Sequence, residues 1–133
     1  MNSDGFLSIV KSSCEGLRQN GYLLDAAAVD AQPAYTSVII PGRHWNITFT
    51  CDFRDNTVDC YVRHAGEAAS SDIALIRFLI DNFQYRGTTH GPAPAAETFD
   101  AKVYRLVHRY AAALERYATP VWQDQPIKNP ASR

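Results

Sequence analysis

The chain shows no excess of either charge: 13 Lys and Arg stand against 14 Asp and Glu, for a formal net charge of −1. That balance argues against a nucleic-acid-binding module, which needs a basic footprint. Long apolar runs are also missing, and nothing approaches the roughly 18 residues of a membrane-spanning helix. The opening MNSDGFLSIVKSS has neither the basic start nor the apolar stretch of a secretory signal, so a soluble cytoplasmic protein is expected. Cysteine is scarce, and Cys14, Cys51 and Cys60 form no Cys-x-x-Cys pair; an odd set of three fits reduced thiols. Without export, the sequon Asn46-Ile47-Thr48 carries no meaning. His44, His64, His90 and His108 make no His-x-x-x-His pair and no zinc-type cluster. There is no Gly-x-Ser-x-Gly elbow, and Gly87 and Gly91 flank Thr88-Thr89-His90 without the lysine of a phosphate loop. No catalytic residue, metal or cofactor is therefore expected.

What is present is ample material for one core. With 133 residues, 46% of them hydrophobic, the chain suits a single domain over 1–133 and leaves no room for two lobes. Phe6, Val10, Cys14 and Leu17 recur at helical spacing, with Ser3 or Asp4 to start the helix and Asn20-Gly21 to end it. Residues 22–34 are ambiguous between strand and helix. Ser37-Val38-Ile39-Ile40 reads as a strand stopped by Pro41-Gly42. The 44–54 run then alternates strictly, with Trp45, Ile47, Phe49, Cys51 and Phe53 against His44, Asn46, Thr48, Thr50, Asp52 and Arg54. Such alternation marks an antiparallel strand wet on one face. The pattern resumes with Val58, Cys60 and Val62 after Asp55-Asn56, a hairpin turn signal. Ser70 or Ser71 caps a second helix whose apolar face is Ile73, Ile76, Leu79, Ile80 and Phe83. A loop from Tyr85 to Pro94 leads to a third helix carrying Phe99, Val103, Leu106, Tyr110, Leu114 and Tyr117. Pro120 stops it, and 120–133 reads as an irregular Pro-containing tail with Trp122 docked. The expected fold is α+β: an N-terminal helix, an antiparallel three- to four-stranded meander, and two C-terminal helices on one face of the sheet.

A two-residue Asp55-Asn56 loop would place Asp52 opposite Asp59 on the wet face and Cys51 opposite Cys60 on the dry one. A carboxylate pair there weakens the sheet unless something cationic compensates, either Arg54 and Arg63 nearby or a bound partner. A Cys51–Cys60 disulfide is geometrically conceivable in that register, though buried thiols in a reducing cytosol are the simpler reading. Tyr104, Tyr110 and Tyr117 alternate with Arg105, Arg109 and Arg116, but their helical phase places Tyr110 and Tyr117 in the core rather than on a single-strand-binding stripe.

The layout of one helix, a meander reading HWNITFTCDFR and DNTVDCYVR, then two helices, resembles bacterial immunity proteins of polymorphic or contact-dependent toxin systems, over residues 6–118. The resemblance implies a protein that binds a cognate toxin domain and blocks its active site. Many such toxins are basic nucleases, for which an acidic surface is the complement. The docking residues it suggests are Asp52, Asp55, Asp59 and Tyr61 on the hairpin, helped by Tyr85 and Arg86 in the loop. No direct nucleic-acid or membrane partner is implied. Two other readings stay open: a chaperone of a secreted effector, and, more distantly, a small hydrolase using Asp52, Asp59 and His44 or His64.

Overall fold

In a computed structural model, which describes residues 1–83, 85 and 96–127, the alternating segment lies at the centre of an antiparallel sheet. Five strands follow in chain order: β1 (Ala28–Ala31), β2 (Tyr35–Ile40), β3 (Trp45–Asp52), β4 (Thr57–His64) and β5 (Ile73–Ala74). The helices are α1 (Ser3–Ser13), α2 (Leu75–Phe83), α3 (Phe99–Tyr117) and the short α4 (Thr119–Trp122). The α+β class holds, with five strands in place of three or four. The added edge strands are short. β1 comes from the ambiguous alanine-rich stretch and is exposed throughout, so backbone pairing with β2 defines it rather than side-chain burial.

The dry face is the expected one. Val38, Ile40, Trp45, Ile47, Phe49, Cys51, Val58, Cys60 and Val62 are all buried, beneath Phe6 and Val10 of α1, Leu75, Phe78 and Leu79 of α2, and Val103, Leu106 and Tyr110 of α3. Trp45 anchors this layer, stacked on His64 at 4.1 Å and edge-on to Phe78 at 5.4 Å.

Three local expectations change. Asn2, not Ser3 or Asp4, caps α1 by accepting from the Gly5 N–H at 2.8 Å, and α1 ends at Ser13. The chain tightens into a 3-10 segment over Glu15–Asn20 that still buries Leu17 and is closed by Gly21 at φ 95°. Ser71 lies in a 3-10 turn, and Ile73-Ala74 is spent on β5, so α2 starts later and rotates its buried face to Leu75, Phe78 and Leu79; Ile80 is 45% exposed. The tail expected to be irregular from 120 begins with α4. There Val121 is fully buried and Trp122 half-buried, and the remainder beyond 127 lies outside the described residues.

The segment after α4 is strapped across the β2–β3 turn. Asp124, at φ 52°, accepts from the backbone N–H groups of Arg43 (2.6 Å), His44 (2.7 Å) and Trp45 (3.2 Å). The Trp45 indole donates to the Gln125 carbonyl at 2.7 Å, and the Tyr22 hydroxyl donates to the Val121 carbonyl. Gly42 permits the close approach: a Cβ there would collide with the Trp45 carbonyl and the Tyr22 ring.

Candidate docking face

The side of the sheet away from the helices is ordered in cross-strand rows. One row runs Asp30, Ser37, Thr50, Asp59, with a carboxylate at each end and two hydroxyls between; the Ser37 and Thr50 oxygens are hydrogen-bonded at 3.0 Å. The next runs Ala28, Ile39, Thr48, Tyr61, Ala74, and beside the hairpin turn lies Tyr35, Asp52, Thr57. Asp59 is exposed, Tyr35 is 37% exposed and Tyr61 is half-buried. The residue types follow from the sheet: β-branched threonines suit a pleated strand, and period-two alternation sends every polar residue of β3 to this side.

The hairpin register differs from the two-residue-loop expectation. Asp52 pairs with Thr57, Cys51 with Val58, Thr50 with Asp59 and Phe49 with Cys60, so the turn comprises Phe53, Arg54, Asp55 and Asn56. Asp52 and Asp59 are therefore diagonal neighbours, at roughly 7 to 8 Å, and not an opposed pair. Cys51 and Cys60 do not face each other either, and all three cysteines are free and buried. Burial pushes the Cys51 thiol up to about 11 and Cys14 up to about 12, which leaves both poor nucleophiles. The physical reason for the longer turn is Asp52 itself. One of its carboxylate oxygens accepts from the N–H groups of Arg54 at 2.9 Å and Asp55 at 3.1 Å, an Asx-type turn that spends two more residues, and Asn56 then takes φ 54°. A shift of two residues keeps every side chain on its face, which is why the core was still legible.

The electrostatics follow from these contacts. The Asp55 and Arg54 N–H groups hold the Asp52 carboxyl below its usual range. Burial raises the Tyr61 hydroxyl, with Asp59 and Asp72 adding to it. Arg63, expected to neutralise the acidic pair, is instead engaged by Asp72 at 3.3 Å, an ion pair without hydrogen-bond geometry. Asp72 is raised by burial, which outweighs the lowering by Arg63. Away from this face, Arg105 holds Glu97 below its usual range. Because the folded-state values of Asp52 and Glu97 are lowered, their contribution to stability is present above the ordinary carboxylate values and lost as pH falls through the folded ones. A carboxyl NMR titration should place the Asp52 midpoint below 3.8 and show urea stability falling as the pH drops from about 5 toward 3. An Asp52 midpoint at or above 3.8 would contradict this assignment.

The structure gathers Asp52, Asp55, Asp59 and Tyr61 around one hairpin, as the sequence suggested. Tyr85 is elsewhere: it is 8% exposed and packs edge-on against Tyr117 at 4.8 Å, so it belongs to the core. Arg86 and His90 lie outside the described residues. Asp30, Tyr35 and Ser37 were missed as members of this face, because only the β1–β2–β3 register brings them beside Thr50 and Asp52; the alternation of β2 was the available signal. The remaining histidines are dispersed: His64 against Trp45, His44 in the turn, and His108 on α3 stacked on Tyr104 with Nδ1 3.0 Å from the Ser13 hydroxyl. Among the described residues no group of three or more His, Cys, Asp or Glu is placed to hold a metal, and no helix is long and apolar enough to cross a membrane. No family model, curated protein or solved structure matches this chain.

Proposed function

We propose that this protein works by binding, and that its hairpin face docks a basic protein partner in the manner of the immunity proteins its layout resembles. The partner in this reading is a toxin domain, such as a nuclease, whose active site the bound protein covers in the cytoplasm. The observation that supports it is the set of carboxylates framing a partly exposed hydroxyl and aromatic surface: Asp30 and Asp59 end one row, Asp52 lies beside Tyr35, and Asp55 is in the adjoining turn. Arg63 on β4 is engaged by Asp72, and the carboxylates of Asp30, Asp52 and Asp55 give the face an acidic character that a lysine or arginine cluster complements. Tyr61 and Tyr35 supply aromatic anchors of the type that dominates interface energies.

The test is to co-express the protein with the product of an adjacent toxin-like reading frame and to measure growth rescue and association kinetics. Wild type should suppress toxicity. The double variant Asp55→Lys/Asp59→Lys should associate about tenfold or more slowly at low salt, and the difference should shrink as salt rises and screening shortens to roughly 8 Å. Unchanged association at low salt would move the interface off this face. Turnover by the purified protein alone, lost on substitution of Asp52 or Asp59, would replace the binding reading with an enzymatic one.

A further inference from the structure

A separate feature lies where β4 meets α3. Here a cleft of about 280 Å³ is lined by Asn56, Val58 and Asp59 on the strand side and by Lys102, Arg105 and Leu106 on the helix side. β5 pairs only with Tyr61 and Val62, so it does not extend along the residues of β4 that line the cleft. Lys102 and Arg105 fall on the same flank of α3 through their i, i+3 spacing.

The Arg105 guanidinium is fixed and incompletely used. Its Nε donates to Glu97 at 2.8 Å and its Nη2 to the other Glu97 oxygen at 3.0 Å, a two-point clamp that sets the plane of the group. Its Nη1 is buried and has no hydrogen-bond partner. A guanidinium nitrogen carries two N–H donors, and leaving them unmet away from water is costly, so such a site gains from an acceptor. Lys102 supplies a second cation on the same wall of the cleft, and Val58 and Leu106 supply apolar surface. Asp59 on the opposite wall sets a limit, because it disfavours a bulky or multiply charged anion.

We propose that this cleft binds a small organic monoanion: its acidic head accepts from Arg105 Nη1 and from Lys102, and a short apolar portion lies against Val58 and Leu106. Carboxylates and phosphate diesters share the required acceptor chemistry and the single charge. The volume lies at the lower end of small-ligand sites and suits a few heavy atoms rather than a nucleotide. This proposal shares Asp59 with the docking face but does not rest on that reading.

The experiment titrates the full chain with sodium butyrate and, separately, with dimethyl phosphate at constant ionic strength held by sodium chloride. NMR follows the Arg105 side-chain Nε–H and the backbone amides of Thr57, Asp59 and Leu106. Saturable shifts clustered on these groups are expected from one or both probes, and which probe saturates identifies the head group. Affinity should fall about tenfold in Lys102→Gln, the effect of losing one charge-assisted hydrogen bond. Arg105→Lys, which keeps a cation beside Glu97 but removes Nη1, should weaken binding by a similar factor. Lys102→Gln removes a charge that acts on Glu97 but leaves the two-point Arg105–Glu97 clamp in place, and it remains decisive should Arg105→Lys fail to fold. The proposal is overturned if neither probe saturates, if sodium chloride alone reproduces the shifts, or if Lys102→Gln binds like wild type.

Discussion

Replacing Phe49 by alanine is expected to destabilise the protein by about 3 to 5 kcal/mol. Phe49 is fully buried on the third of five strands, with Val38 and Cys60 as its cross-strand neighbours and the helices above it. The loss combines the transfer free energy of the ring with the cavity it leaves. The central position limits relaxation, because β3 is held on both sides along nearly its whole length. Phe49→Leu, which keeps most of the volume, should cost much less, on the order of 1 to 2 kcal/mol. Urea unfolding with an unchanged m-value measures both. A loss below about 1 kcal/mol for the alanine variant would mean that Phe49 does not occupy the packed centre assigned to it.

Asp124→Ala is expected to cost about 2 to 4 kcal/mol, the range for removing a carboxylate that satisfies several backbone N–H groups in a partly buried setting. Both carboxylate oxygens are used: Oδ2 by Arg43, and Oδ1 by His44 and Trp45. Asp124→Asn separates charge and geometry from bulk. Asparagine tolerates the positive φ, but its amide presents a donor to one of the N–H groups, so the variant should lie between wild type and alanine. The Trp45 indole N–H signal reports the same event, since its acceptor, the Gln125 carbonyl, is on the strap that Asp124 fastens. Wild-type stability in Asp124→Ala, with that signal unmoved, would show that the strap is held without Asp124, by the Tyr22–Val121 and Trp45–Gln125 hydrogen bonds.

Phe49 and Asp124 stabilise different parts of the molecule. Phe49 was legible without any structure, because period-two alternation over 45–53 leaves one set of side chains to bury, and a register error of two residues does not change the face. Long-range spacing on α3 was equally readable: Val103, Leu106, Tyr110 and Leu114 are buried as their 3.6 period requires. The α2 phase was not, since the sequence does not say that Ile73-Ala74 will be drawn into β5, and that choice rotates which residues of the next helix face Trp45.

The candidate face divides in the same way. Asp52, Asp55, Asp59 and Tyr61 were assembled from one hairpin because their contacts are local in sequence. Their detailed relation was not legible, because the Asp52 carboxylate accepts from the turn N–H groups in competition with the tightest loop, and propensity alone does not weigh that competition. Asp30 and Tyr35 joined them only through pairing across three strands. Asp124 on the β2–β3 turn, and the Arg105 guanidinium clamped by Glu97 while its Nη1 stays unpartnered, had no sequence signature at all. By itself, then, the sequence determined the α+β class, the dry face of the sheet and the membership of the hairpin tip, all set by periodicities that burial enforces locally. Only the tertiary structure decided the strand register, the α2 face, the Asp124 strap and the cleft beside α3, because each depends on polar groups distant in the chain whose hydrogen bonds form only once the fold has brought them together.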